Sequence, residues 1–283
     1  MNDKSRRELE LAACEVRRGI IEATHAAKSG HPGGSLSAAD MFTYLYLREL
    51  RVDPAEPEAP WRDRFVLSKG HTAPGLYAVL ALRGFFPREA LLTLRHTGSI
   101  LQGHPSLGIT PGVDMSTGSL GQGISAAVGM ALGGKLSGAD WRVYALLGDG
   151  EIQEGEVWEA FMSAAHFGLS NLCVIIDSNR LQIDGEVAKV MSPYPIDAKM
   201  RAFGFGVCTI DGHSFDDMER AFAEARACSD RPFCIIMNTV KGKGVSFMEN
   251  NASWHGKATN DEQTAAALAE IAAKRAELEE VAQ

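Results

Sequence analysis

The chain has 283 residues, 45% of them hydrophobic and 23% charged, with a net charge of -8. That length buries a sizeable core in one large domain, and the composition is ordinary for a globular protein. The acidic balance argues against a nucleic-acid partner, which requires a basic face; no apolar run reaches the roughly 20 residues that span a bilayer, and the polar start, Met1 to Arg7, is not a secretory signal.

In chain order, about residues 5 to 28 read as a helix with Leu9, Cys14, Val16, Ile20 and Ile21 on a broad apolar face. A second helix is expected after Ser37, carrying Met41, Leu45 and Leu50, and the Pro/Glu/Ala-rich stretch from Asp53 to Pro60 reads as a surface loop. Arg64 to Leu67 makes a short strand whose end delivers Lys69 and His71. The Gly-, Ser- and Thr-rich stretch from Thr97 to Gly123 lacks apolar periodicity, and loops of that length inside compact domains are usually functional. An Ala/Gly-rich helix, about Gly123 to Leu136, follows.

Strands at Val143 to Leu147, Leu172 to Ile176, Gly206 to Ile210 and Phe233 to Asn238 then alternate with helices at Val157 to Phe167, Ala198 to Phe203 and Phe215 to Ala227. This βαβ rhythm predicts an α/β fold, a mostly parallel sheet with helices on both faces, in a single domain over residues 1–283. A last helix, about Asp261 to Val281, has a capping-like start at Asn260 and packs by Leu268, Ile271 and Leu278. Cys14, Cys173, Cys208, Cys228 and Cys234 are odd in number and scattered without a CxxC pair, which argues against a disulfide framework or zinc site and leaves a reducing, cytoplasmic location as the default.

The run Arg142 to Leu147 opens into Gly148-Asp149-Gly150, and the run Leu172 to Ile176 into Asp177-Ser178-Asn179. Two neighbouring parallel strands would thus present a carboxylate and an amide oxygen at their carboxyl ends, where open α/β sheets bind ligands. Mg2+ takes a few protein oxygens and leaves its other positions to phosphate and water, so the pair reads as a diphosphate anchor. The glycines beside Asp149 are expected to let backbone amides approach that anion. The bland alternative is a strand-end turn residue and a loop amide.

The GDG-x28-N spacing resembles that of thiamine-diphosphate enzymes, and further words narrow the resemblance to transketolase. They are Ser29-Gly30-His31-Pro32-Gly33, Leu67-Ser68-Lys69-Gly70-His71, Gln102-Gly103-His104-Pro105, Thr117-Gly118-Ser119-Leu120-Gly121-Gln122-Gly123, Gly148 through Ala160, Lys241-Gly242-Lys243-Gly244 and Ser253-Trp254-His255-Gly256. The resemblance covers about residues 15 to 260. It implies the thiamine-diphosphate-binding fold, as its diphosphate-binding (PP) domain, with thiamine diphosphate and Mg2+ as cofactors and Ca2+ or Mn2+ able to substitute. The implied reaction is transfer of a two-carbon ketol unit from a ketose phosphate to an aldose.

By that resemblance Asp149 supplies a carboxylate to the metal, Asn179 its side-chain oxygen and Leu181 its backbone carbonyl. Lys69, His71, Gly118, Ser119, Leu120, Gly148, Gly150, Glu151, Lys241 and His255 would line the cofactor. Glu154 and Glu159 would lie at a subunit contact that links two active sites. His31 and His104 would act near the reacting oxygens as hydrogen-bond donors and proton relays, and His71, His255 and Lys241 beside the diphosphate and the reacting centre. Asp177 and Asp184 read as structural.

The residues also have plainer readings. On spacing alone Glu154 and Glu159 share no helix stripe and are acids favoured near a helix amino terminus. His25, His96, His166 and His213 lie outside the matching words and read as hydrogen-bonded structural residues. Lys69 and Lys241 would ordinarily be solvated charges, but each borders glycine after a strand, which favours a contact with an anion. Gly121-Gln122-Gly123-Ile124-Ser125-Ala126 fits a dinucleotide fingerprint, yet no hydrophobic strand precedes it, as that fingerprint requires.

By the resemblance, the ring-activating glutamate and the aromatic shelf under the pyrimidine belong to a second domain that full-length transketolases carry farther along the same chain. The chain is then either a fragment or, as the reading favours, one subunit of a split enzyme, expected to be inactive alone and completed by a separate pyrimidine-binding chain in a heterotetramer with two copies of each. Pentose-phosphate sugars are the default substrates, and routes for unusual sugars are the other possibility. Two rival readings are the α subunit of a 2-oxoacid dehydrogenase, which explains the metal site but not His31, His104 or Trp254-His255-Gly256, and a non-catalytic interaction module.

Overall fold

The computed structural model describes residues 1–280, so Val281, the expected end of the last helix, lies outside the described residues. Helix α1, Asp3–Ala26, is capped by the Asn2 side chain, which accepts from the Ser5 amide at 2.8 Å. Its five expected apolar positions are all buried. The next stretch departs from expectation: α2, Pro32–Ser37, precedes α3, Ala39–Tyr44, which runs into a π-helical turn, Leu45–Glu49, that ends before Leu50. The sequence reading places no helix here, yet proline suits a first helical position, where no N–H is needed. A Cβ on Gly34 would stand 2.9 Å from the Thr72 methyl, so close packing rather than chain reversal explains that glycine.

Strand β1, Arg64–Leu67, leads through a 3-10 turn, Gly70–Thr72, into α4, Ala73–Arg83. From residue 94 to 121 the chain forms neither helix nor strand, as its composition predicted. Then follow α5, Gln122–Ser137; β2, Val143–Gly148; α6, Gly155–His166; and β3, Leu172–Ser178. An unpredicted hairpin of β4, Leu181–Gln182, and β5, Gly185–Glu186, carries the next loop, followed by short α7, Val187–Val190. The remainder is α8, Ile196–Ala202; β6, Gly206–Asp211; α9, Phe215–Ala227; β7, Phe233–Asn238; and α10, Asp261–Glu280.

The main sheet has the order β1-β2-β3-β7-β6, with every neighbouring pair parallel. Its middle strands are buried on both sides and read as continuous apolar runs, the pattern of a parallel sheet covered on both faces. Cys173 and Ile175 of β3 face a core that includes Phe42, Tyr77 and Phe222 from α3, α4 and α9. Val174 and Ile176 face the other core, with Phe161 of α6 and Met200 of α8. Helix α10 docks on the first core through Ile271, with Leu268 and Leu278 partly buried beside it. Its start is capped reciprocally: Asn260 Oδ1 accepts from the Gln263 amide at 2.8 Å, and Gln263 Oε1 from the Asn260 amide at 3.2 Å. Among the described residues the five cysteines are free, and no helix is long and apolar enough to cross a membrane.

Candidate active site

Parallel register sets Gly148 beside Asp177 at the carboxyl ends of β2 and β3, so the residues that follow both strands emerge together. Asp149 is buried there; its Oδ1 accepts from the Gly150 amide at 3.0 Å, and its Oδ2 from the Arg180 amide at 2.7 Å and the Tyr194 hydroxyl at 2.8 Å. Burial pushes its carboxyl up to about 6 even though Tyr194 donates to it, and the charge of Asp177 adds to the rise. A carboxylate so disfavoured in its charged form gains from a nearby cation.

Asn179 is oriented by its neighbours. Its Nδ2 donates to Asp177 Oδ2 at 3.2 Å and to Ser37 Oγ at 3.3 Å, which fixes the amide so that Oδ1 is its free acceptor end, reached by the Leu181 amide at 3.1 Å. The Leu181 carbonyl accepts from Lys241 Nζ at 3.0 Å and keeps a second lone pair. Carboxylate, amide oxygen and carbonyl are hard donors that suit Mg2+ with external oxygens completing its shell. No cluster of three or more His, Cys, Asp or Glu side chains is gathered for a metal among the described residues, so an all-side-chain cage is not what this site offers.

Beneath these oxygens Asp177 is a structural hub, as expected. It accepts from Lys69 Nζ, Thr239 Oγ1 and Asn179 Nδ2, and from Ser37 Oγ at 2.5 Å. Burial opposes its charge, but Lys69, Ser37 and Thr239 outweigh that and hold its carboxyl below the usual range. Lys69 is therefore committed to Asp177 within the floor of the site rather than open to an anion. Lys69→Met would leave Asp177 charged, buried and unpaired, a loss of about 3–5 kcal/mol; a chemical-denaturation midpoint indistinguishable from wild type would refute this account of the floor.

Lys241 joins the floor to a cluster of histidines. Its buried Nζ touches the Leu181 carbonyl and His255 Nδ1, each at 3.0 Å. Burial, assisted by Lys69, lowers its pKa to about 8. Around it the rings of His31, His71 and His255 lie with centroids 5.1 to 5.5 Å apart. Burial lowers His31 to about 4 and His255 to about 3, with Arg95 and Lys241 respectively as the next causes, and burial takes His71 well below its ordinary value. All three are neutral at pH 7. His31 Nδ1 is buried without a hydrogen-bond partner, a state that buried polar atoms rarely tolerate unless something from outside supplies one.

His104 stands at the rim, exposed, with a pKa lowered by burial of part of its ring and by Arg95. Gly118, at φ +144, lies against it: a Cβ there would be 3.0 Å from His104 Cγ. The histidine words also touch each other through small residues. A Cβ on Gly33 would stand 2.8 Å from the Trp254 carbonyl, and one on Gly256 3.5 Å from the His31 ring.

Other expected residues divide. Glu151 is buried and accepts from Ser68 Oγ at 2.5 Å, the Gly121 amide at 3.1 Å and the Gly148 amide at 3.0 Å, tying three loops together. Ser119, Leu120, Glu154 and Glu159 are not enclosed by the fold. Of the glycines flanking Asp149, the Gly148 amide donates to Glu151 Oε2 at 3.0 Å and the Gly150 amide to Asp149 Oδ1 at 3.0 Å. An added Cβ on Gly150 would lie 3.3 Å from Gln182 Cβ, a tight contact. Asp184 sits exposed in the β4–β5 hairpin.

Sequence reading missed Tyr194, Ser37 and Thr239, the hydroxyls that secure Asp149 and Asp177; none stands in a recognisable word, and only the folded chain brings them in. Of the histidines read as structural, His25 binds the Thr259 carbonyl at 3.0 Å and Thr264 Oγ1 at 2.8 Å, latching α1 to α10. The dinucleotide fingerprint fails as expected, because the segment before Gly121 is no strand; Gly123 is needed since a Cβ would lie 2.6 Å from Ser68 Cα.

The family described as transketolase, thiamine diphosphate binding domain, matches residues 10–280. A 6-deoxy-6-sulfo-D-fructose transketolase subunit from Clostridium sp. (strain MSTE9) is 43% identical over 93% of this chain and 96% of its own length. An apulose-4-phosphate transketolase subunit from Phocaeicola vulgatus is 42% identical over 96% of each. Human transketolase is 45% identical over 88% of this chain, but the match spans 40% of that protein. The solved transketolase of Campylobacter jejuni superposes with a TM-score of 0.89 at 30% identity, covering 98% of this chain and 46% of that one. The chain thus spans less than half of the transketolase structures it resembles and nearly all of the two subunits. It belongs to the transketolase family, and residues 10–280 form its thiamine diphosphate binding domain.

Proposed function

We propose that this chain is the diphosphate-binding subunit of a split transketolase, which transfers a two-carbon ketol unit from a ketose to an aldose acceptor with thiamine diphosphate and Mg2+. The observation that carries the reading is the double contact of Lys241 Nζ, 3.0 Å from the Leu181 carbonyl and 3.0 Å from His255 Nδ1. It joins one of the metal-suited oxygens, the Leu181 carbonyl, to one ring of the cluster of neutral histidines.

In this reading Asp149 Oδ, Asn179 Oδ1 and the Leu181 carbonyl would hold Mg2+, or Ca2+ or Mn2+ in its place, which would anchor the diphosphate. When bound, thiamine diphosphate supplies the carbon nucleophile and the electron sink. The chain's residues bind, orient and move protons. His31, His104 and His255, each neutral at pH 7 and so able to donate at one nitrogen and accept at the other, exchange protons with the sugar oxygens. His71 and Lys241 flank the diphosphate and the reacting centre, Gly118, Ser119 and Leu120 line its approach, and Lys69 and Glu151 hold the floor. Glu154 and Glu159 at the start of α6 are offered to a second copy of the chain.

The relatives' names support a donor that carries a terminal anionic group, since one acts on a sulfo sugar and another on a sugar phosphate. Both are named subunits, which supports a separate second chain, here taken as the pyrimidine-binding one in a heterotetramer with two copies of each. Free cysteines suit the reducing cytoplasm as the place of reaction. The test mixes the purified chain with a candidate second subunit, thiamine diphosphate, Mg2+ and a panel of ketose phosphates and ketose sulfonates. Transfer is expected only in the complete mixture and is lost on chelation. Turnover by this chain alone would contradict the split, and 2-oxoacid decarboxylation without ketol transfer would favour the dehydrogenase reading.

A further inference from the structure

The loop that carries Lys241 has little regular structure to hold it. Between β7 and α10 its only helical element among the described residues is a 3-10 turn, Ala252–Trp254. Backbone bonds hold it at Lys241, whose carbonyl accepts from the Asn250 amide at 2.9 Å, and at Gly242, whose amide donates to the Gly33 carbonyl at 2.9 Å; on either side of these, at Val240 and Lys243, it is gripped by side chains that α1, α3 and the turn before α9 bring together. Arg17 Nη1 and Nη2 donate to Asp40 Oδ1 and Oδ2 at 2.9 and 2.6 Å, and His213 Nδ1 lies 2.8 Å from Asp40 Oδ2. The Val240 amide donates to His213 Nε2 at 2.9 Å, and Arg17 Nε donates to the Lys243 carbonyl at 3.1 Å.

The tautomer follows from these bonds. Because Nε2 accepts from Val240, the ring hydrogen sits on Nδ1 and points to Asp40. Arg17, Asp40 and His213 are nearly enclosed, with side-chain exposures of 10%, 7% and 14%. Burial opposes the charge of Asp40, yet Arg17 and His213 hold its carboxyl down to about 2. Gly244, at φ +90, admits the arginine: a Cβ there would stand 2.8 Å from Arg17 Cδ. A pairing that served only to join α1 to α3 would need neither the guanidinium contact to Lys243 nor the imidazole.

We propose that the Arg17–Asp40–His213 triad is a positioning device for Lys241, clamping the loop at Val240 and at Lys243 so that the ammonium stays between the Leu181 carbonyl and His255. The inference deepens the proposed function and rests on Lys241 being part of the site. His213, which read from sequence as an ordinary structural histidine, thereby acts on the site through the backbone it holds.

The experiment compares the wild-type chain with His213→Leu, His213→Asn and His213→Gln by amide hydrogen exchange and by long-range nitrogen spectra of histidine-labelled protein. Glutamine carries one donor and one acceptor and can serve both Asp40 and Val240. Asparagine keeps the donor for Asp40 but is too short for Val240, and leucine serves neither. Amides of residues 240–244 should exchange about tenfold faster or more in the leucine and asparagine variants and recover in the glutamine variant. The His255 Nδ1 resonance, which reports the hydrogen bond from Lys241, should shift and recover in the same pattern. If instead the variants lose thermal stability while loop exchange and the His255 signal stay as in wild type, the triad only supports the fold and the proposal falls. Should His213→Leu fail to fold, the asparagine and glutamine pair separates the same two outcomes. Neither readout needs cofactor, so a reconstituted enzyme without transferase activity would count against the proposed function and not against the clamp.

Discussion

Replacing Asp149 with Asn is expected to weaken Mg2+-dependent thiamine diphosphate binding by at least about a hundredfold, since loss of a mere supporting group around a metal already costs 10- to 100-fold. The substitution keeps the side-chain shape but removes the only anionic donor of the three, and whichever way its amide turns, the NH2 group faces a backbone N–H that Asp149 accepts from, at Gly150 or at Arg180. Stability of the cofactor-free chain should move far less. The carboxyl is pushed up to about 6 in the fold, so above that pH the chain carries a charge that its surroundings disfavour, and losing it offsets the poorer hydrogen bonds. Calorimetric titration with and without Mg2+ reads the first effect and thermal unfolding the second. Affinity unchanged from wild type would remove Asp149 from the anchor.

The second large effect is on turnover. His31→Ala and His255→Ala should each lower kcat of the reconstituted enzyme by about 10²- to 10⁴-fold, the range for a positioned proton-transfer group. The pH profile carries a sharper statement. An ordinary imidazole would protonate near 6.5 and impose an acid limb there, whereas burial lowers His31 to about 4 and His255 to about 3. Protonation of these rings should therefore cost no activity as pH falls from 7 to about 5, and their acid limb should begin near 4. His166→Ala, at a position on α6 outside the site, is the control and should leave kcat unaltered. A histidine variant that raised KM alone would mark a binding role instead.

Much of this was legible in the sequence, and the reasons for the rest are physical. Helix α9, Phe215–Ala227, and strand β7, Phe233–Asn238, fall where periodicity put them, because each has a pattern of its own. Helix α2 was hidden because it is six residues long and its Gly33 and Gly34, which serve there to pack closely, carry no apolar periodicity. The β4–β5 hairpin was hidden because two-residue strands hold too little pattern. In the site, Asp149 and Asn179 were found because parallel register turns strand-end position into proximity. Tyr194 was not, since its hydroxyl reaches Asp149 across 45 residues of chain that no local rule spans. His213 shows the same limit: its role depends on Asp40, 173 residues away, and on Val240, 27 away.

Crystals of the chain grown with thiamine diphosphate and Mn2+ would test the centre of this account most directly, through an anomalous difference map at the strand tips. A single peak bonded to Asp149 Oδ, Asn179 Oδ1 and the Leu181 carbonyl, with diphosphate oxygens beside it, is the predicted result. Bound cofactor with its metal held by other residues would contradict it.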